Sequence, residues 1–463
     1  MESGERNVKV AKFGGSSVAN AEQIRKVAAI IQADSSRKIV VVSAPGKRTK
    51  ADVKTTDLLI ELAQYCIGNN EQAKEQTLNK VVNRYAEMVS DLGLQEDIKE
   101  EIYHDLKVRM NAYYANEHQL MDALKASGED NNAKLIAAYF QSIGMNATYI
   151  NPKDAGLLVS DEPGNAQVLP VAYERLNEWR QQEGVIVFPG FFGFSETGTL
   201  VTFPRGGSDI TGAILAAAVQ ADLYENFTDV DSVYAANPTI VEDPFEIKKM
   251  TYREMRELSY AGFSVFHDEA LIPAFRNGIP VCVKNTNNPK SEGTLIVAER
   301  EPFDDPVIGI AADEGFATIY VRKYLMNREV GFGRRLLEIL EDQSISYEHI
   351  PSGIDDTSVI IRESQLTDGV EEQISARIKT ELAVDDVHIE RGFAMVMLVG
   401  EGMHNSIGVI ARASAALSRK GVNIEMINQG SSETSLVFGI HQKDADVAVQ
   451  ELYHEFFGSR VPV

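Results

Sequence analysis

Three glycine-bearing stretches hold the residues best suited to chemistry. Lys12-Phe13-Gly14-Gly15-Ser16-Ser17 follows an apolar run and precedes a helical one. Glycines at such a junction let backbone N–H groups approach a phosphate, and the N-terminus of a following helix adds partial positive charge. Lys12 is a point cation within reach of the same phosphates. The Gly-Gly pair would also serve as a plain tight turn. Arg205-Gly206-Gly207-Ser208-Asp209-Ile210-Thr211 opens another helical run. A guanidinium fork binds a carboxylate in bidentate fashion, which an ammonium cannot do. Ser208 or Asp209 would equally cap that helix. The third stretch, Gly190-Phe191-Phe192-Gly193-Phe194, reads best as a structural turn ending a strand.

Other chemistries are excluded. GxxxxGK[ST] is absent and no GxGxxG follows a strand, so neither a Walker A loop nor a dinucleotide fingerprint is expected. Cys66 and Cys282 are the only cysteines, far apart, and the eight histidines form no HxxxH pair. A disulfide framework, a zinc site and a protein-held transition metal are therefore not expected. A formal charge of −23 disfavours nucleic acid and anionic membranes, which reward basic patches. The charged start MESGERNVKV and the lack of a long apolar run predict a cytoplasmic protein with no membrane span.

The elements that must position these residues follow from periodicity. Residues 8–13 read as a strand, 18–32 as a helix, and Lys38–Ala44 as a buried strand, an α/β opening. From about 68 to 125 the chain is charged and nearly free of Gly and Pro, which predicts a helical excursion from the sheet. Strand and helix alternation resumes at Lys134–Ile150 and continues through Gly184–Phe194 and the helical run 209–221. Asp304-Asp305-Pro306 reads as a domain boundary.

The last third repeats itself. The stretch from Gly331 matches the stretch from Gly408 at an offset of 77 residues, which also aligns Leu340 with Leu417, Gly353 with Gly430, Thr357 with Thr434 and Ser358 with Ser435. Each copy reads as strand, Gly turn, helix, strand, turn, strand. Two small ferredoxin-like βαββαβ units are expected.

The chain resembles the amino-acid kinase family, and within it the aspartokinases. KFGGSSV, SAPG, SGE, RGGSD and TDVDSVY occur in that order, followed by a repeat similar to an ACT-domain pair, so the resemblance covers essentially the whole chain. It implies an amino-acid kinase fold, with a mainly parallel sheet flanked by helices, over residues 1–303. ACT domains follow at 307–385 and 390–463. The activity it implies is transfer of the γ-phosphoryl group of ATP to the β-carboxylate of L-aspartate, the first step toward lysine, threonine and methionine. Glutamate or acetylglutamate kinases generally lack the ACT pair. A silent sensor is disfavoured because Lys12, Glu129, Arg205 and Asp209 are all retained. The chain ends soon after the second copy, so a fused homoserine dehydrogenase is not expected.

Site roles carry over from the same resemblance. It places Lys12, Gly14, Gly15 and Ser16 on the ATP phosphates, Lys12 and Asp209 at the transfer centre, and Glu129 on the aspartate amino group. Arg205, Gly206, Gly207 and Ser208 would bind the aspartate carboxylate, and Thr56 the substrate. Thr228, Asp229 and Tyr234 would bind the nucleoside. Asn237-Pro238-Thr239 stands where the family often has Asp-Pro-Arg, His267-Asp268-Glu269 replaces a common His-Pro, and Asn287 stands where some members place a lysine. Lys284 is the candidate replacement for that lysine. An aspartate side chain, with pKa near ~4, is already ionised at neutral pH, so no general base is needed. Mg²⁺ would ride mainly on ATP oxygens and water. The effector, lysine and/or threonine, is expected near the strand–helix turns of the two repeats, 326–332, with Met326, Val330, Gly331 and Phe332, and 403–408. The adjoining loop of the first repeat supplies Ser352, Gly353, Asp355, Asp356 and Thr357, with the two acids either gripping a basic ligand or standing solvated. A homodimer or higher homo-oligomer is expected.

Overall fold

A computed structural model describes residues 7–263, 269–301, 306–430 and 434–458. His267 and Asp268, and the boundary residues Asp304 and Asp305, lie outside them. The chain packs as two units. One comprises Met1–Val233, Glu246–Met255 and Ser264–Arg300, the other Tyr234–Phe245, Arg256–Phe263 and Glu301–Val463.

The first unit is built on an eight-stranded sheet. β1 (Lys9–Phe13) is paired in parallel with β2 (Arg37–Val42) on one side and Leu223–Thr228 on the other. Outward from β2 come β4 (Val185–Pro189) and then β3 (Ala147–Tyr149). Outward from Leu223–Thr228 come Val281–Asn285, Thr294–Val297 and Lys249–Thr251. Only Val281–Asn285 with Thr294–Val297 is antiparallel. The central strands are buried on both faces, which explains why β1 and β2 read as apolar runs and not as alternating ones. Helix α1 (Ala21–Gln32) starts at Asn20, whose side chain accepts from the Gln23 N–H at 3.0 Å, and buries Ile24, Val27 and Ile31 on the sheet.

The expected excursion is helical. It consists of α2 (Thr55–Ile67), α3 (Glu71–Leu92), α4 (Asp97–Asn111) and α5 (Glu117–Ser142). α5 runs past the point where alternation was expected to resume. Gly128 lies within it because a Cβ there would stand 2.8 Å from the Ala44 Cβ and 3.0 Å from Leu59 Cδ1. The helix thus lies hard against the loop after β2.

The second unit holds one five-stranded antiparallel sheet, ordered Asp356–Arg362, Gly309–Arg322, Asp386–Val399, Ser435–His441, Met426–Gln429. Its two long strands serve both repeats. Phe316–Arg322 pairs with Asp386–Phe393 in the first copy, while Gly309–Glu314 pairs with Ala394–Val399 of the second. The register shifts between them, where Gly315 and Gly392 adopt φ of 83° and 81°. The second copy therefore borrows a strand that precedes the first, so the repeats interleave. The expected strand after the helix Phe332–Glu341 reduces to two isolated bridges, His349 with Ile360 and Ser352 with Thr357.

Candidate active site

In a parallel sheet, ligands sit beyond the carboxyl ends of the strands. β1 ends at Phe13 and runs directly into Gly14, whose N–H bonds the Phe227 carbonyl at 3.1 Å. The chain then makes a tight turn over Gly15–Val18. The Gly46 N–H donates to the Gly15 carbonyl at 2.8 Å, and a Cβ on Gly46 would come within 2.5 Å of the Gly15 carbonyl carbon. The KFGG and SAPG loops are thereby docked backbone to backbone, which only glycine at 46 permits.

Lys12 is buried on β1, opposite Asn226 in the neighbouring strand. Its Nζ lies 2.5 Å from Asp209 Oδ1, which also accepts from Asn226 Nδ2 at 2.5 Å. Asp209 belongs to the first turn of the helix Gly207–Ala218. The cap of that helix is Gly206 at φ 78°, with no side-chain cap, so neither Ser208 nor Asp209 plays the capping part that the sequence allowed. The Gly190–Phe194 turn packs behind it. A Cβ on Gly190 would meet Ser208 at 2.6 Å, and one on Gly207 would meet the Phe191 ring at 2.5 Å. Arg205 is exposed, with no hydrogen bond or ion pair among the described residues.

Glu129 is the electrostatic anomaly. It sits buried in the middle of α5, and its Oε2 has no hydrogen-bond partner among the described residues. Burial pushes its pKa up to about 8, against the opposing pull of the Ala44 N–H and of Lys125. Lys125 is one helical turn earlier. Its ammonium is held 3.0 Å from Asp122 and lies over the Phe191 ring at 5.7 Å.

These groups line one cavity of about 1090 Å³. It gathers Lys12, Gly14, Gly15, Ser16, Thr56, Glu129, Arg205, Gly206, Gly207, Ser208, Asp209, Thr228 and Asp229. Tyr234 and Lys284 do not line it. The Lys284 ammonium is turned to the Ser291 carbonyl, 3.0 Å away, within its own hairpin. The structure adds five cations: Lys47, Arg48, Lys50, Lys54 and Lys125. The first four were visible as the basic stretch after SAPG, and Lys125 as the residue four before Glu129, on the same helix face. No His, Cys, Asp and Glu cluster fit to hold a metal occurs among the described residues. No described helix is long and apolar enough to cross a membrane.

The expected effector residues of the second unit are dispersed. Met326 and Phe332 are core residues, whereas Val330 is fully exposed. Gly331 caps the following helix at φ 83°. Asp355 Oδ1 accepts from the Leu325 N–H at 2.6 Å, and Thr357 Oγ1 donates to the Pro351 carbonyl at 3.1 Å. Ser352, Gly353 and Asp356 reach a separate cavity of about 590 Å³ on the sheet, with Tyr320, His388 and Glu390.

Comparison with known proteins fits this geometry. The amino acid kinase family pattern matches residues 7–285 and an ACT domain pattern matches residues 396–456. Aspartokinase 3 of Bacillus subtilis is 56% identical over 450 residues, covering 97% of this chain and 99% of that protein. Among solved structures, the aspartate kinase of Clostridium acetobutylicum is 39% identical with a TM-score of 0.86, over 97% of this chain and 100% of that one. Aspartokinase III of E. coli, 26% identical, matches over 97% of this chain in two states. Its complex with aspartate and ADP (R-state) gives a TM-score of 0.78 over 100% of that chain, and its complex with lysine and aspartate (T-state) 0.76 over 99%. With 56% identity along nearly the full length of a curated aspartokinase, the chain belongs to the aspartokinases of the amino acid kinase family.

Proposed function

We propose that this aspartokinase moves the γ-phosphoryl group of ATP onto the β-carboxylate of L-aspartate in the cavity around Lys12. The observation that carries the assignment is Glu129: a buried carboxyl with a partnerless oxygen, in the same cavity as an unpaired arginine and the Lys12–Asp209 pair. An α-amino acid offers the complement, an ammonium for Glu129 and a carboxylate for Arg205. Thr56 and the backbone of Gly206, Gly207 and Ser208 complete that end. The turn Gly14-Gly15-Ser16 suits the phosphates, and Thr228 and Asp229 the nucleoside side.

The β-carboxylate oxygen attacks the γ-phosphorus, the bond to the bridging oxygen of ATP breaks, and ADP leaves with that electron pair. The products are 4-phospho-L-aspartate and ADP. No proton moves, because the carboxylate is ionised beforehand. The obstacle is the approach of two anions. Lys12 neutralises the transferred group, and Asp209 with Asn226 fixes the ammonium where charge builds up. The excess of cations over carboxylates in the lining fits a nucleotide triphosphate. Mg²⁺, arriving on ATP, would supply further charge neutralisation next to Asp209 or Asp229.

For regulation, the reading is that lysine and/or threonine binds the ACT repeats, 307–385 and 390–463, and inhibits from a site separate from the catalytic one in domain 1–303. Its support is the repeat and the likeness to an enzyme solved with lysine. A cytoplasmic homodimer or larger homo-oligomer belongs to the same reading. An aspartyl-hydroxamate assay with ATP and Mg²⁺, run with and without each amino acid, tests it. Turnover with aspartate that falls when lysine or threonine is added is expected. Turnover with glutamate in preference to aspartate would overturn the substrate assignment, and indifference to both effectors the regulatory one.

A further inference from the structure

The helical excursion has a second task besides covering the sheet. Arg84 and Tyr85 are consecutive, buried residues of α3 that reach in different directions. The Tyr85 hydroxyl donates to the Gly128 carbonyl at 2.8 Å, next to Glu129. The Arg84 guanidinium donates to the carbonyls of Gly46 and, at 2.6 Å, Val53, and stands 3.2 Å from Asp52 Oδ2. Those three acceptors lie at the start and near the end of the basic loop 46–54. Asp52 in turn holds Arg48, accepting from its backbone N–H and its Nε at 2.9 Å, while Arg48 reaches Glu87 of α3 at 2.6 Å. At its foot the loop is tied to the phosphate turn through the Gly46 to Gly15 hydrogen bond. Lys47, Lys50 and Lys54 are left exposed on the cavity side.

We infer that Arg84 is a positioning residue for the nucleotide, pinning the 46–54 loop so that its lysines face the phosphates bound at the Gly14-Gly15 turn. The inference rests on the placement of ATP in this cavity. The chemistry of the fork makes it specific. One planar group bridges two backbone carbonyls and a carboxylate, a set that neither lysine nor an apolar residue can satisfy. The Gly46 carbonyl, buried and left without that donor, would drive the loop toward water. The lysines would then still be present but no longer aimed.

Arg84→Met and Arg84→Lys, checked for native circular dichroism, test this. Misplacement of a binding loop costs on the order of 10-fold or more. The expected result is an ATP KM raised about 10-fold in both variants with the aspartate KM within about twofold. Faster tryptic cleavage at Lys47–Lys54, slowed again by ADP, is expected alongside. Should Arg84→Met fail to fold, Asp52→Asn decides, because it removes the carboxylate from a partly exposed loop position and leaves the Arg84 carbonyl contacts in place. It should raise the ATP KM about threefold. Equal rises in both KM values, or a lowered melting temperature with unchanged ATP KM, would overturn the inference. Lys12→Ala, titrated with ADP by calorimetry, separates the two failures. If Lys12→Ala weakens ADP binding and the Arg84 and Asp52 variants do not, the nucleotide site stands and Arg84 is structural. If none of them alters ADP binding, the site itself is misplaced and the inference falls with it.

Discussion

The Lys12 cavity and the strand–helix turn of the first repeat are opposites in how far their charges are satisfied. Around Lys12 the polar groups are held in place but left short of partners: Glu129 keeps an empty oxygen in a buried site, and Arg205 has no counter-ion among the described residues. In the first repeat of the second unit the polar groups are already spent. Asp355 closes a turn, Lys323 is paired with Glu329 at 2.6 Å, Arg335 meets the same Glu329, and Thr357 is bonded to Pro351. Leaving a buried polar group unsatisfied costs about 1–3 kcal/mol. The catalytic unit carries such a cost at Glu129, where a substrate ammonium would relieve it, while the polar groups of the first repeat's turn already have partners. An effector there must displace internal contacts or bind the exposed face beside Asp356.

The largest effect that would sharpen this contrast is at Lys12. Lys12→Ala should lower turnover by about 10²–10³-fold or more, because a transition-state charge contact is lost. Circular dichroism should show the fold retained. A variant with near-parental turnover in the hydroxamate assay would reduce the Gly-Gly loop to a structural turn.

Glu129 should produce a pH signature. Its carboxyl titrates at about 8 in the unliganded site and must be ionised to hold an ammonium. From pH 6 to 8 the aspartate KM should therefore fall by up to about tenfold per unit and then level off. Glu129→Gln should raise KM and flatten that profile. The stability consequence has a definite sign. The folded pKa lies above the unfolded value near ~4.3, so this group's contribution is full below that value and is lost as pH rises through about 8. Without substrate, Glu129→Gln should melt at the parental temperature at pH 4 and above it at pH 9. A variant that melts below the parent at pH 9 would show that the carboxylate is already paired.

What could be read in advance divides along the same line. Phosphate turns are local, so Lys12, Gly14 and Gly15 and the Arg205 loop were legible as contiguous residues, and the cavity unites them. Glu129 was legible only through the SGE likeness, since nothing local marks a helical acid as partnerless. Lys284 read as a nucleotide contact only through the likeness, as the candidate replacement for a lysine where Asn287 stands; in the structure its ammonium meets the Ser291 carbonyl of its own hairpin. The 77-residue repeat located both strand–helix turns, with Met326 and Met403 buried and Val330 and Ile407 exposed at matching positions. It could not show that Gly309–Glu314 completes the second copy, because strand pairing across 80 to 90 residues leaves no local trace.

Smaller effects test whether the satisfied contacts matter. Gly206→Ala forces a Cβ onto a backbone at φ 78°, worth about 1–2 kcal/mol. It should lower the melting temperature by a few degrees and raise the aspartate KM a few-fold by moving Arg205, with the ATP KM changed less. In the second unit, Asp355→Ala should cost about 0.5–2 kcal/mol through the lost turn contact at Leu325, like a lost cap. Asp356→Ala should leave stability unchanged and weaken lysine inhibition about tenfold, a coupling change near 1.4 kcal/mol. The reverse assignment, with Asp355 setting inhibition and Asp356 stability, would break the comparison at its second half.

The smallest effect is expected at Val330 and Ile407. Each immediately precedes the left-handed glycine that opens its helix, and each is fully exposed. An exposed side chain that touches nothing contributes little, so Val330→Ser or Ile407→Ser should shift the stability of the dilute protein by less than about 0.5 kcal/mol. That the repeat keeps a large apolar residue at both positions is then unexplained by folding. Covering by a second copy of the chain would explain it, and such covering adds stability that grows with concentration. The parental melting temperature should therefore rise between low and high micromolar protein, and the variant at the covered turn should lose that rise. The first turn is the better candidate, because its Lys323–Glu329–Arg335 ion pairs hold Val330 in a fixed position, whereas the matching positions in the second copy are Gly400, Ser406 and Arg412, the last paired to Glu455. Loss of the concentration dependence in Ile407→Ser alone would assign the contact to the second repeat, and a parental melting temperature independent of concentration would leave both turns to solvent.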